Sequence, residues 1–162
     1  MLRLDKIGAV IRGVPLLPPL ERGEEESDAS FTRRKATHEM LAGVTVDVSL
    51  VDRPTALVWG DDASRMVMRV YGDAPVTRDQ HAEFRAQMRA VIALGCARIY
   101  GVEIGGVDLS TLSGEALALA VDGCSLSSLL PDLSACVRRH QSLSAQEKKL
   151  SESSPSSGAV TS

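Results

Sequence analysis

A chain of 162 residues with 44% apolar side chains has the size and hydrophobic content of a single domain with its own core, built from Leu, Val, Ile, Ala and Met because aromatic residues make up only 3%. The net charge of -3 and a pI near 5.6 give no global attraction to nucleic acid or anionic lipid, so neither is expected as a partner. No apolar run approaches the roughly 18 residues needed to cross a bilayer, and three cysteines with no recognisable secretory leader point to a soluble protein of the reducing cytoplasm.

In chain order, Leu2, Leu4, Ile7, Val10 and Ile11 form an apolar opening with the character of a short strand or an arm, and Pro15, Pro18 and Pro19 interrupt regular structure after it. The run Glu21 to Asp28, with Glu24-Glu25-Glu26, reads as a solvated linker. Adjacent carboxylates on a flexible run lack the convergent geometry of a cation site. Ser30 to Leu41 suits a short helix whose Arg33-Arg34-Lys35 run, without aromatic interleaving beyond Phe31, reads as a solvated face. Residues 1–41 are therefore expected to be an N-terminal arm and charged linker, ahead of a core domain over 42–143.

Within that domain, Val44, Val46, Val48 and Leu50 alternate with Thr45, Asp47 and Ser49, the pattern of a half-buried strand ended by Asp52-Arg53-Pro54. Thr55 to Trp59 and Met66 to Tyr71 read as two further strands around a Gly60-Asp61-Asp62-Ala63-Ser64 loop. After Pro75, Thr77 and Gln80 form a capping box. Phe84, Met88, Val91 and Ile92 then define the apolar stripe of a helix that Gly95 stops. Ile99 to Leu109 reads as two short strands about the Gly105-Gly106 turn. The predicted fold is α+β: a small antiparallel sheet of three or more strands packed on the Thr77 to Leu94 helix, then a short hairpin and C-terminal helices.

Ser113 is placed to cap a helix over Gly114 to Asp122, with Leu112 and Leu117 as a staple and Gly123 as its stop. Leu126, Leu129, Leu130, Leu133, Val137 and Leu143 continue a helical period that Pro131 should start or kink. Ser144-Ala145-Gln146-Glu147 offers another capping box, and residues 144–162 are expected to form a flexible Ser-rich tail.

Candidate chemistry is sparse. His38, His81 and His140 have no metal-ligand neighbours at useful spacing, and Cys96, Cys124 and Cys136 form no C-x-x-C unit and read as structural thiols. Gly101, Gly105 and Gly106 follow a strand without opening a helix and match no phosphate-binding fingerprint. Asp61 and Asp62 lie too close on one loop for an acid pair. Whether Asp61, Glu103, Asp108 and His81 meet is a question for the fold. No catalytic residue, cofactor or metal is expected, and the chain reads as non-enzymatic.

The segment Ile99-Tyr100-Gly101-Val102-Glu103-Ile104-Gly105-Gly106-Val107-Asp108-Leu109, a Ser-capped short helix, Pro131-Asp132-Leu133, and Leu143 to Glu152 together resemble the C-terminal half of phage tail assembly chaperones. Tyr100 stands where that family more often has Trp. The resemblance covers Ile99 to Glu152 and implies a cytoplasmic protein that keeps a tape-measure-like client soluble during tail assembly. The alternative is a structural tail or connector subunit, or a small regulator or enzyme. Leu126, Leu129, Leu133 and Val137 are the candidate client-binding groove, with burial in the core as the competing reading.

Overall fold

A computed structural model describes residues 7–153, with side chains over residues 7–141. The fold is α+β. A three-stranded antiparallel sheet in the order β1-β2-β3, with β1 Val10–Pro15, β2 Thr45–Ser49 and β3 Cys96–Tyr100, is covered on one face by helices. The helices are α1 Asp28–Met40, α2 Arg53–Val70, α3 Arg78–Gly95, α4 Gly114–Asp122 and α5 Leu129–Ser153, of which α3 and α5 pack directly on the strands. A separate two-stranded hairpin, β4 Glu103–Ile104 and β5 Val107–Asp108, leads into a 3-10 turn at Leu109–Thr111. No helix among the described residues is long and apolar enough to cross a membrane.

The alternation in β2 works as its sequence dictates. Val46 and Val48 point into the core, pairing with Val14 and Ile11 of β1 and with Ile99 and Cys96 of β3. Asp47 points to the opposite face and is nonetheless buried. A bulge in β1 at Arg12-Gly13 leaves an amide without a ladder partner, and the Asp47 carboxylate accepts it: Gly13 N–H donates to Oδ1 at 2.9 Å while Tyr100 Oη donates to Oδ2 at 2.8 Å. That bond to a carboxylate raises the Tyr100 pKa, with burial adding to it.

The capping box at the start of α3 forms as its spacing predicts, Thr77 N–H to Gln80 Oε1 at 2.9 Å and Gln80 N–H to Thr77 Oγ1 at 3.2 Å. Val91 and Ile92 are fully buried, Phe84 nearly so, and Met88 packs half-buried at the edge. Helix α3 lies against α4, α5 and the sheet. Arg85 and Arg89 reach from it to Asp122 at the end of α4, at 2.9 and 2.8 Å. Burial alone would push the Asp122 carboxyl up, but the two guanidinium hydrogen bonds outweigh it and hold it below its ordinary value.

The segments Thr55 to Trp59 and Met66 to Tyr71 are not strands but parts of α2, capped by Asp52, whose carboxylate accepts Thr55 N–H at 2.7 Å, with Pro54 in the first turn. Of the opening expected as a short strand or an arm, the described part is the strand, because β1 forms a sheet edge, and Leu16 just after it is buried. The Glu21 to Asp28 segment is solvated, as expected, and carries its own ion pairs. Glu26 holds Arg34 through two bonds of 2.7 and 2.6 Å, Arg22 pairs with Asp28, and both arginines lie over the Phe31 ring. Helix α5 runs unbroken through residues 144–153. The rest of the expected tail, residues 154–162, lies outside the described residues, as does the apolar opening at 1–6.

Candidate functional site

The proposed groove residues do not form a surface. Leu129, Leu133 and Val137 are buried between α5 and the rest of the core, and Leu126 packs half-buried against them. Leucines at this spacing face inward because α5 is the helix on which α2, α3, α4 and β2 all pack.

The same stretch reaches a surface by its polar members instead. Ser128 and Asp132 line one wall of an open cleft of ≈ 390 Å³, with Leu17, Pro18, Pro19 and Leu20 on a second side and Arg33, Arg34, Thr37 and His38 of α1 on the third. The strap from Leu16 to Leu20 has no ladder of its own, since two prolines supply no N–H. Leu16 N–H donates to Val44 O at 3.2 Å, Arg139 Nη2 donates to Leu16 O at 3.3 Å, His38 Nε2 lies 3.1 Å from Pro18 O, and just ahead of the strap Cys136 Sγ donates to Pro15 O at 3.6 Å. A carbonyl only accepts, so His38 carries its proton on Nε2. Arg34 Nη2 also donates to Glu21 O at 2.6 Å, so α1 holds the strap at Pro18 and just past its C-terminal end.

The charges around the cleft are unequal in availability. Arg34 is committed to Glu26, whose carboxyl is lowered from 4.5 to about 2 by the hydrogen bond from Arg34 first and the Gly23 amide second. Asp132 is shifted the other way, its carboxyl raised by burial. Arg33 and Asp132 are thus the charged groups left on the rim of a mostly leucine and proline surface, and the size falls in the range of ligand pockets. The hydroxyls of the cleft are those of Thr37 and Ser128, the latter beside Asp132.

The other candidates are scattered. His38 lines the cleft, His81 is exposed on α3, and His140 on α5 bonds its own helix at Cys136 O, 2.9 Å away. Among the described residues no group of three or more His, Cys, Asp or Glu is placed to hold a metal. Cys96 and Cys136 are buried thiols pushed up to about 12 and about 11 by burial, and Cys124 is half-buried. Asp61 and Asp62 sit on α2, Asp108 accepts Ser110 N–H at 2.9 Å, and Glu103 is exposed on β4. None of them lines the cleft.

The sequence reading missed the strap. Its signal was Leu16-Leu17-Pro18-Pro19-Leu20, an apolar run that prolines keep extended, but the prolines were read as a break alone. Fold and cleft together define a small α+β domain with a largely apolar cleft between a proline strap and two helices. No known protein family, curated protein or solved structure matches the chain.

Proposed function

We propose that this chain is a non-enzymatic protein-binding domain, a phage tail assembly chaperone that keeps a tape-measure-like client soluble in the cytoplasm of a bacterial host. The observation that carries the reading is the cleft: Leu17, Pro18, Pro19 and Leu20 facing Thr37 and His38 across an opening sized for one or two apolar side chains, rimmed by Arg33 and Asp132. The resemblance of Ile99 to Glu152 to tail assembly chaperones supports the same reading, and Asp132 belongs both to that segment and to the cleft. A client segment enters with an apolar side chain against the prolines and its own charges toward Arg33 and Asp132.

Filling the cleft tests this. Thr37 is half-buried on the cleft wall, and Thr37→Trp places an indole where the client side chain would sit. On co-expression with its tape-measure-like neighbour, the parent chain is expected to keep the client in the soluble fraction and co-purify with it. Thr37→Trp should lose at least roughly tenfold in client retention while keeping the parent circular dichroism spectrum. Client recovery unchanged by Thr37→Trp, or a client equally soluble without the chain, would refute the reading.

A further inference from the structure

Helix α2 packs on α3 and α5 by one face and leaves the rest open. Among its described residues Trp59 alone is buried, and Ala56, Ala63 and Met66 share that inner face half-buried. The outer face is apolar to an unusual degree: Leu57 is 55% exposed, Val58 56%, Val67 55%, Met68 76% and Tyr71, the capping residue, 84%. Leu57, Asp61, Ser64, Met68 and Tyr71 recur at alternating spacings of four and three, which keeps them on one straight seam. Exposed apolar rows of this kind mark interaction surfaces.

The arrangement along the seam says what covers it. The apolar residues lie toward both ends, while the middle carries the small residues Gly60 and Ser64 and the opposite charges of Asp61 and Arg65. We propose that this face pairs with the same face of a second copy of the chain, the two helices antiparallel about a twofold axis between residues 62 and 63. In that register Leu57 meets Met68 of the second copy, while Val58 and Val67, half a turn apart on the helix, flank the seam on its two sides. Gly60 and Ser64 let the backbones approach at the centre. Arg65 falls beside Asp61 of the second copy, and symmetry makes the ion pair twice.

Charge also fixes the orientation. A parallel pairing in register would set Asp61 against Asp61 and Arg65 against Arg65, whereas the antiparallel one pairs every charge on the seam with its opposite. Arg65 already contacts Asp62 of its own helix, and a guanidinium with five donors serves both carboxylates. No residue of α2 lines the cleft, so the dimer presents two clefts rather than covering one.

Light scattering on the full chain over a concentration series tests the pairing. The parent is expected to reach twice 17.2 kDa as concentration rises. Leu57→Glu with Met68→Glu, both exposed in the monomer, should remain monomeric across the series with the parent circular dichroism spectrum. Asp61→Arg alone and Arg65→Asp alone should each weaken association by at least roughly tenfold, and the two exchanges together should restore it. The proposal is overturned by a parent that stays monomeric throughout, by a Leu57 and Met68 variant that still dimerises, or by association indifferent to the single reversals. A double exchange that fails to recover the dimer overturns it equally.

Discussion

Gly95, the last residue of α3, has no left-handed backbone, so conformational freedom is not why glycine stands there. Space is. A Cβ at this position would collide with Val137 Cγ1 and come within 3.1 Å of the Trp59 ring, so the missing side chain is what lets α2 and α5 close over the end of α3. Gly95→Ala gains helix propensity worth about 1 kcal/mol but forces Val137 or Trp59 out of its packed position, at about 1–3 kcal/mol. The expected net loss is about 1 kcal/mol, measured as a lower denaturant midpoint in the fluorescence of the single tryptophan. An unchanged or raised midpoint would show that α5 can move away without cost. The sequence marked Gly95 correctly as a helix end, yet nothing in it could show crowding from a residue 42 positions further on. Gly105 and Gly106 were legible for the opposite reason: their φ of 57° and 80° belong to the two-residue turn itself, a local requirement that a Gly-Gly pair announces.

Elements were legible where one face is apolar and the other polar, as in β2 and α3, and illegible where both are apolar, as in α2. The inner row of α2, Ala56, Trp59, Ala63 and Met66, has helical spacing, but Leu57, Val58, Val67 and Met68 on its outer face fill the gaps and make two runs that look like strands. Helix α1 shows the reverse case. It was expected and is present, but among its described residues none is buried, so its attachment is ionic and hydrogen-bonded rather than hydrophobic. That makes it sensitive to acid. The carboxyl of Glu26 is depressed from 4.5 to about 2, so its contribution is fully present above the unfolded value and is lost as pH falls from about 4.5 toward 2. Amide hydrogen exchange across Asp28 to Met40 is expected to accelerate in that window before β2 and α3 lose protection. Glu26→Gln should show the faster exchange already at neutral pH. Simultaneous loss of protection in all three elements would mean that α1 is held by packing after all.

For the whole molecule, the class of fold was readable and the way its parts join was not, because the joints are long-range polar contacts between segments with no local signature. The cleft is one example, assembled from a strap, α1 and the first turn of α5. Gln141 is another. Read in sequence it is one polar residue late in a helix, but its side chain reaches the end of β2, where its Nε2 donates to Ser49 O at 2.7 Å and its Oε1 accepts Val51 N–H at 3.0 Å. The amide thus takes the place of a neighbouring strand and closes the ladder where β2 stops and the chain turns toward Asp52. Gln141→Leu keeps the bulk and removes both partners, leaving a partly buried N–H and C=O to find water or go unpaired. At about 1 kcal/mol or more for each group, the expected loss is about 2 kcal/mol of stability. Gln141→Glu retains an acceptor for Val51 but sets a carboxylate oxygen against the Ser49 carbonyl, so it should fall between parent and Gln141→Leu at low pH and lose ground as the carboxyl ionises. Equilibrium unfolding gives the global cost, and exchange of the Val51 amide gives the local one. Slow Val51 exchange surviving in Gln141→Leu would mean that α5 and the sheet are joined by their apolar contacts alone, with the amide bridge incidental to the fold.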